Sequence, residues 1–155
     1  MCIRDRFDDR SFHFTASVDG ELAAYCRTVS GPNAMFETWT RGAAKTPVGK
    51  EVIDLTRCCV SPKFRGLNLS ILICLESLIH ASTSDFERVI AAVVPGRRMG
   101  KRLNDIGFVD TGSPVQIVCP DGTVDQIQPS VAIISEWVES WKHFKESILV
   151  DNFST

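Results

Sequence analysis

The sequence predicts a mixed α/β fold, one central sheet with helices on both faces. Two observations carry this. An Asp19-Gly20 pair joins two strand-like runs, a strong hairpin signal. Downstream, two apolar, β-branched runs are each followed by a helical pattern. Length supports the reading: 155 residues make one domain with a core to bury. Composition (44% apolar, 23% charged) excludes a disordered tail, a collagen-like repeat and a coiled coil.

The elements follow in order. Residues 12–18 and 21–29 alternate bulky and small side chains and form the hairpin. Residues 30–50 are rich in Gly, Pro, Ala and Thr and read as a long connection, with Met35, Phe36 and Trp39 folding back on the core. Residues 52–60 (VIDLTRCCV) form a strand stopped by Ser61-Pro62. Residues 67–81 form a helix, with Ile71, Leu72, Leu75, Leu78 and Ile79 on one broad apolar face. Residues 88–94 are almost wholly apolar, as in a central strand covered on both faces. Residues 97–106 form a basic amphipathic helix that Gly107 stops. A strand at 115–118 turns at Pro120-Asp121-Gly122 into a return strand at 124–127, and 131–134 is a last strand or the start of a helix. Residues 136–149 form a terminal helix whose Trp137, Trp141, Phe144 and Ile148 stripe reads as core or interface.

Charge and cysteine usage narrow the function. Seventeen basic against nineteen acidic side chains leave no global field for nucleic acid, so any anion site is local. No apolar run reaches the ~18–20 residues needed to span a bilayer. Six cysteines (Cys2, Cys26, Cys58, Cys59, Cys74, Cys119) form no CxxC pair and show no zinc-ligand spacing. They read as reduced, buried thiols in a cytoplasmic protein, with no metal expected. Adjacent Cys58 and Cys59 point to opposite strand faces. The first six residues, Met1 to Arg6, look like translated adapter sequence, which makes 1–10 a foreign or disordered start and 11–155 the domain.

The segment around residues 54–70 carries the chemistry. A strand ends at a proline, a short turn brings Lys63, Arg65 and Gly66, and a helix begins. The first N–H groups of a helix lack internal partners, and the helix dipole adds about half a positive charge there. Gly66 lets backbone approach a ligand. This is either a phosphate or pyrophosphate cradle or an ordinary strand–turn–helix with solvated cations. Arg97, Arg98, Lys101 and Arg102 likewise read as a solvated helix face or as an anion contact.

Val60-Ser61-Pro62-Lys63-Phe64-Arg65-Gly66, followed by the apolar helix, resembles the V-x-P-x-[YF]-R-G segment of the GNAT superfamily of acyl-CoA-dependent acyltransferases. Arg102-Leu103-Asn104-Asp105-Ile106-Gly107-Phe108 is similar to that family's L-Y-x-x-x-G-F segment. The resemblance spans about residues 11–118. It implies a mostly antiparallel sheet, lacking here the family's first strand and helices. It implies acyl-CoA or acetyl-CoA as co-substrate, without a metal. Residues Arg65, Gly66, Leu67, Asn68, Leu69 and Ser70 would hold the pyrophosphate, with Lys63 beside them. A backbone donor near Cys59 or Val60, at the bulged strand, would meet the oxyanion. Asn68 and Ser70 stand where the family usually has Gly and Gly or Ala. Leu103 stands where many members carry a tyrosine acid, and Tyr25 is the sole tyrosine of the chain.

Asp54-Leu55-Thr56-Arg57 further resembles the E-[LM]-S-R strand of acyl-homoserine-lactone synthases and N-acyl amino acid synthases. That resemblance implies long acyl chains, often delivered by acyl carrier protein. It also implies Asp54 as the base that deprotonates a small-molecule amine, with Arg57 as its partner or as a carboxylate anchor. A structural Asp54 ion pair is the plainer alternative. The arginine-rich helix would then meet the CoA 3′-phosphate or an acidic carrier. The expected reaction is direct acyl transfer to a primary amine. The rival is a GNAT-fold module that binds acyl-CoA without catalysis, which the missing tyrosine favours.

Overall fold

In the computed structural model, residues 8–30, 52–118 and 122–153 are described. The predicted connection over 31–50 (Met35, Phe36, Trp39), the adapter-like start, Cys2, Cys119 and the Pro120-Asp121 pair lie outside them.

A 3-10 turn (Asp8–Arg10) leads into β1 (Ser11–Val18), and β2 (Glu21–Ser30) returns through Asp19-Gly20. Both turn residues have positive φ, +52° and +79°, as a tight hairpin demands. Next come β3 (Val52–Val60), a 3-10 turn (Pro62–Phe64), α1 (Leu69–Ala81), β4 (Arg88–Val93) and α2 (Arg98–Asp105). The chain ends with β5 (Val109–Asp110), β6 (Val115–Val118), β7 (Val124–Ile133) and α3 (Ile134–Phe153). Among the described residues seven strands form one sheet in the order β1-β2-β3-β4-β7-β5, with β6 also on β7. The β3–β4 pair is parallel and joined through α1; every other pair is antiparallel. No helix among the described residues is long and apolar enough to cross a membrane.

The predicted bounds of β3 are met in full, the helices begin one to two residues from their expected starts, and α3 runs on past its expected end at Leu149 to Phe153. The segments at 124–127 and 131–134 are corrected to one strand, β7, which runs through Pro129. Strand residues send N–H and C=O to the same edge. The Pro129 carbonyl accepts from the Thr111 N–H at 2.8 Å, so its missing donor faces the gap between β5 and β6 and costs β4 nothing. Strand β5, two residues long, had no sequence signal.

The main core joins Ala24 and Cys26 of β2, Ile53 and Leu55 of β3, and Val89 and Ala91 of β4 to all three helices. Helix α1 is buried at nine of thirteen positions because the sheet covers one side and α3 another. A smaller cluster, Val52 and Ile90 with Ala92 and Val131, gathers the alternate strand positions. His80, in the last turn of α1, sets its ring edge-on to Phe12 and Phe14 at 5.1 and 5.5 Å.

Fully buried Trp141 anchors α3, its Nε1–H donating to the Ile106 carbonyl at 2.8 Å. Gly107 has φ +96°, and a Cβ there would meet the Trp137 ring at 2.2–2.5 Å. We therefore expect Gly107→Ala to destabilise the fold by about 2–5 kcal/mol, left-handed strain adding to overpacking. Chemical denaturation reads this directly. Gly20→Ala, with open space around its Cβ, isolates the backbone contribution.

Candidate functional site

The site starts from a fault in β3. The β2–β3 register passes from Tyr25↔Cys59 to Arg27↔Thr56, leaving one extra residue on β3. Arg57 occupies this bulge with φ +50°. Here the parallel ladder ends: Leu55↔Ala91 is the last β3–β4 pair, though β3 runs on to Val60 and β4 to Val93. The strands therefore splay, and a cavity of about 330 Å³ opens between them. Asp54, Thr56, Arg57 and Cys58 line it from β3, Ala92 and Val93 from β4, and Arg97, Met99 and Leu103 from the α2 region.

A second cavity, of about 310 Å³, lies at the start of α1. Val60, Arg65, Gly66, Asn68, Leu69 and Ser70 line it, with Arg98, Met99 and Arg102 arriving from α2. Met99 belongs to both linings, so the two cavities adjoin there. Asn68 caps α1 in the left-handed conformation (φ +55°) without a side-chain cap bond. Its Oδ1 instead accepts from Arg102 Nη2 at 2.7 Å. By helical geometry the Leu69 and Ser70 N–H groups have no partner within α1. Gly66, at φ +97°, leaves open space where a Cβ would stand. Burial, then the neighbouring Arg98 charge, lowers the Arg102 pKa. Unsatisfied amides and crowded cations thus meet at one helix end, an arrangement that favours an anion.

The residues expected from the sequence separate into two groups. Val60, Arg65, Gly66, Asn68, Leu69 and Ser70 are brought together at the α1 cavity, and Asp54 and Arg57 at the splay. Lys63 turns away: its ammonium pairs with Glu21 of β2 and lies 5.0 Å from the Phe64 ring centroid. Cys59 is exposed, and Leu67 lines neither cavity. Asp54 is buried at 2% exposure, on the face that carries Thr56.

Sequence reasoning missed Arg27 altogether, and it missed the partners of Tyr25 and Arg102. Arg27, 1% exposed, donates from Nε to Thr56 Oγ1 at 3.3 Å, and the Thr56 hydroxyl donates to the Arg27 carbonyl at 3.2 Å. Tyr25 lies opposite Cys59, its hydroxyl 2.8 Å from His13 Nδ1. Arg102 reaches Asn68 across 34 residues. The cross-strand register that creates these neighbours has no local sequence signal.

The thiols also gather. Cys26, Cys58 and Cys74 bring their sulfurs within 4.8 Å of one another, and Cys59, on the face opposite its neighbour Cys58, points away. The hydrogen bond with Cys26, then burial, pushes Cys58 up to about 12. Hydrogen bonds with Cys26 and Cys58, then burial, push Cys74 well up too.

No family model matches the chain, and no curated protein does. Solved structures do. The CoA-dependent acyl-homoserine lactone synthase MesI is similar over 92% of this chain and 73% of its own, at 19% identity and TM-score 0.67. BjaI, a CoA-dependent acyl-homoserine lactone synthase solved with SAM and isopentyl-CoA, is similar over 92% and 68%, at 15% identity and TM-score 0.68. The ribosomal-protein-S18-alanine N-acetyltransferase of Escherichia coli is similar over 81% and 70%, at 14% identity and TM-score 0.58. The chain has a GNAT-like fold.

Thiol accessibility checks this geometry. In a Cys2→Ser/Cys119→Ser background, native protein should take one equivalent of iodoacetamide, at Cys59. Unfolding should release Cys26, Cys58 and Cys74 for three more. Rapid native labelling of Cys58 would contradict its inward turn.

Proposed function

We propose that this protein moves an acyl group from an acyl-CoA thioester to a primary amine by direct transfer in a ternary complex. One observation carries the reading: two cavities adjoin at Met99, one suited to a pyrophosphate and the other to an acyl-pantetheine arm. The comparisons support acyl transfer in general through the fold they share with this chain.

The pyrophosphate would sit on the α1 start, held by the amides of Gly66, Asn68, Leu69 and Ser70 and by Arg65. Arg98 and Arg102 add charge from α2. The pantetheine arm would pair with the strand edges that the splay leaves outside the ladder, and the carbonyl would meet a backbone N–H near Cys59 or Val60. Asp54 would take the amine proton, directly or through water, and Arg57 would hold an acceptor carboxylate. A covalent cysteine route is disfavoured, since among the described residues no histidine lines the cavity beside Cys58 to serve as its base.

The acceptor class follows from proton arithmetic. A lysine-like amine has a pKa near ~10.4 and an α-amino group near ~8, so at pH 7 the first costs about 4.6 kcal/mol to deprotonate and the second about 1.4. A site with a single carboxylate base suits the α-amino group. BjaI, solved with SAM, makes an amino-acid derivative the first acceptor to try. An acyl carrier protein is the alternative donor. The binding-only reading rests on Leu103, which lines the splay where many relatives would carry the acid.

Calorimetry with acetyl-CoA and a long-chain acyl-CoA tests the reading. Arg65→Ala should weaken binding at least tenfold, about 1.4 kcal/mol. Asp54→Asn should leave that affinity unchanged and lower kcat by about 10²-fold or more. Binding without turnover would establish the non-catalytic module. No binding of any CoA ester or acyl-carrier thioester would overturn both readings.

A further inference from the structure

We propose that Cys26, Cys58 and Cys74 form a three-thiolate site for a soft divalent metal ion of the zinc type, opening on the cavity between β3 and β4. The sequence gives no hint of it, because the three residues lie far apart and lack the usual ligand spacing. The fold supplies one thiol each from β2, β3 and α1. All three sulfurs lie within 4.8 Å of one another, and the Cys58–Cys74 separation is 3.5 Å. A zinc–sulfur bond of about 2.3 Å places sulfurs about 3.8–4.0 Å apart around one ion. The observed triangle needs only small side-chain adjustment to reach that.

Three further observations point to a ligand. Strand alternation alone would turn Cys59 inward; the bulge at Arg57 shifts the phase and turns Cys58 to join Cys26 and Cys74. The thiol contacts to carbonyl oxygens are long, Cys26 to Thr56 at 3.9 Å and Cys58 to Ser70 at 3.6 Å. Cys58 and Cys74 also line the splay cavity, and Cys26 does not. A fourth coordination position would therefore face the cavity, where water or a ligand atom can enter. Three thiolates on a divalent ion leave one negative charge, and Arg57 and Arg97 line the same space. Binding releases the thiol protons to solvent and needs no oxidant. Soft thiolates select zinc-like and still softer ions over magnesium or calcium.

The test uses reduced full-length protein in the Cys2→Ser/Cys119→Ser background. Cadmium(II) is titrated against its ultraviolet sulfur-to-metal band, and zinc(II) by competition with a chromophoric chelator. We expect one equivalent of either ion, a higher Tm with metal, and at least tenfold weaker binding in Cys58→Ser. That half-buried position tolerates serine, and circular dichroism checks its fold. Cys59→Ser, directed away from the cluster, should bind as before. Arg65→Ala should also bind metal normally, which separates this proposal from the acyl-CoA cradle. No thiolate band in the folded protein would overturn the site. So would a band that survives Cys58→Ser, or one that Cys59→Ser removes.

Discussion

The left-handed backbone at Arg57 is the constraint on which the site depends. A non-glycine residue at φ +50° costs on the order of 1 kcal/mol or more, so it persists only where its surroundings impose it. Pairing with β2 on both sides does this, through Arg27↔Thr56 before the bulge and Tyr25↔Cys59 after it. The extra residue reverses the side-chain phase of β3. Leu55 before it and Cys58 and Val60 after it face the main core, while Asp54, Thr56 and Cys59 share the other face. The parallel ladder to β4 ends at the same point. The cavity, the position of Asp54 above it and the gathering of three thiols beneath it all follow from one inserted residue.

A second strained residue stands at the other end of the same path. Asn68 holds φ +55° at the start of α1, and the Arg102 guanidinium fixes its side chain. A cap bond from Asn68 to its own helix would satisfy one amide and help close the anion site. Diverting that oxygen to Arg102 keeps the helix end open and brings a cation to it. Burial first, and then Arg98 one turn earlier on α2, lower the pKa of that cation, and an anion between the two arginines would relieve their repulsion. Among the described residues the third non-glycine residue with positive φ, Asp19, belongs to an ordinary hairpin turn. Two of the three strained positions thus flank the proposed thioester path, where strain is most often retained for function.

Local pattern made much of this legible. The hairpin, β3, β4 and the helices follow from apolar periodicity and from Asp-Gly, Ser-Pro and Gly punctuation. The lining of the cavity at the start of α1 was readable because its parts are neighbours in the chain: a strand end, Arg65, Gly66 and a helix start. What escaped is what register and tertiary packing create. A bulge occupied by arginine leaves no compositional mark. Pro129 stands inside β7, and only the gap between β5 and β6 makes it harmless there. Lys63 looked like part of the cradle until Glu21, 42 residues earlier, drew it away. Arg102 and the three cysteines meet their partners only through folding.

Leu103, buried in the cavity wall, sharpens what the proposed chemistry requires. Acyl transfer from a thioester expels a thiolate, and a tyrosine acid would protonate it. An alkyl thiol has a pKa near ~8.5, so releasing it as the thiolate at pH 7 costs about 2 kcal/mol relative to the thiol. That is small beside the many kcal/mol that positioning two reactants can supply. Arg57 and Arg97 line the same cavity, and a cation beside a developing thiolate offsets part of that cost without moving a proton. The heavier demand falls on the amine, which must lose its proton before it attacks. Replacing the acid by leucine therefore leaves the catalytic burden on the side of the cavity where Asp54 stands.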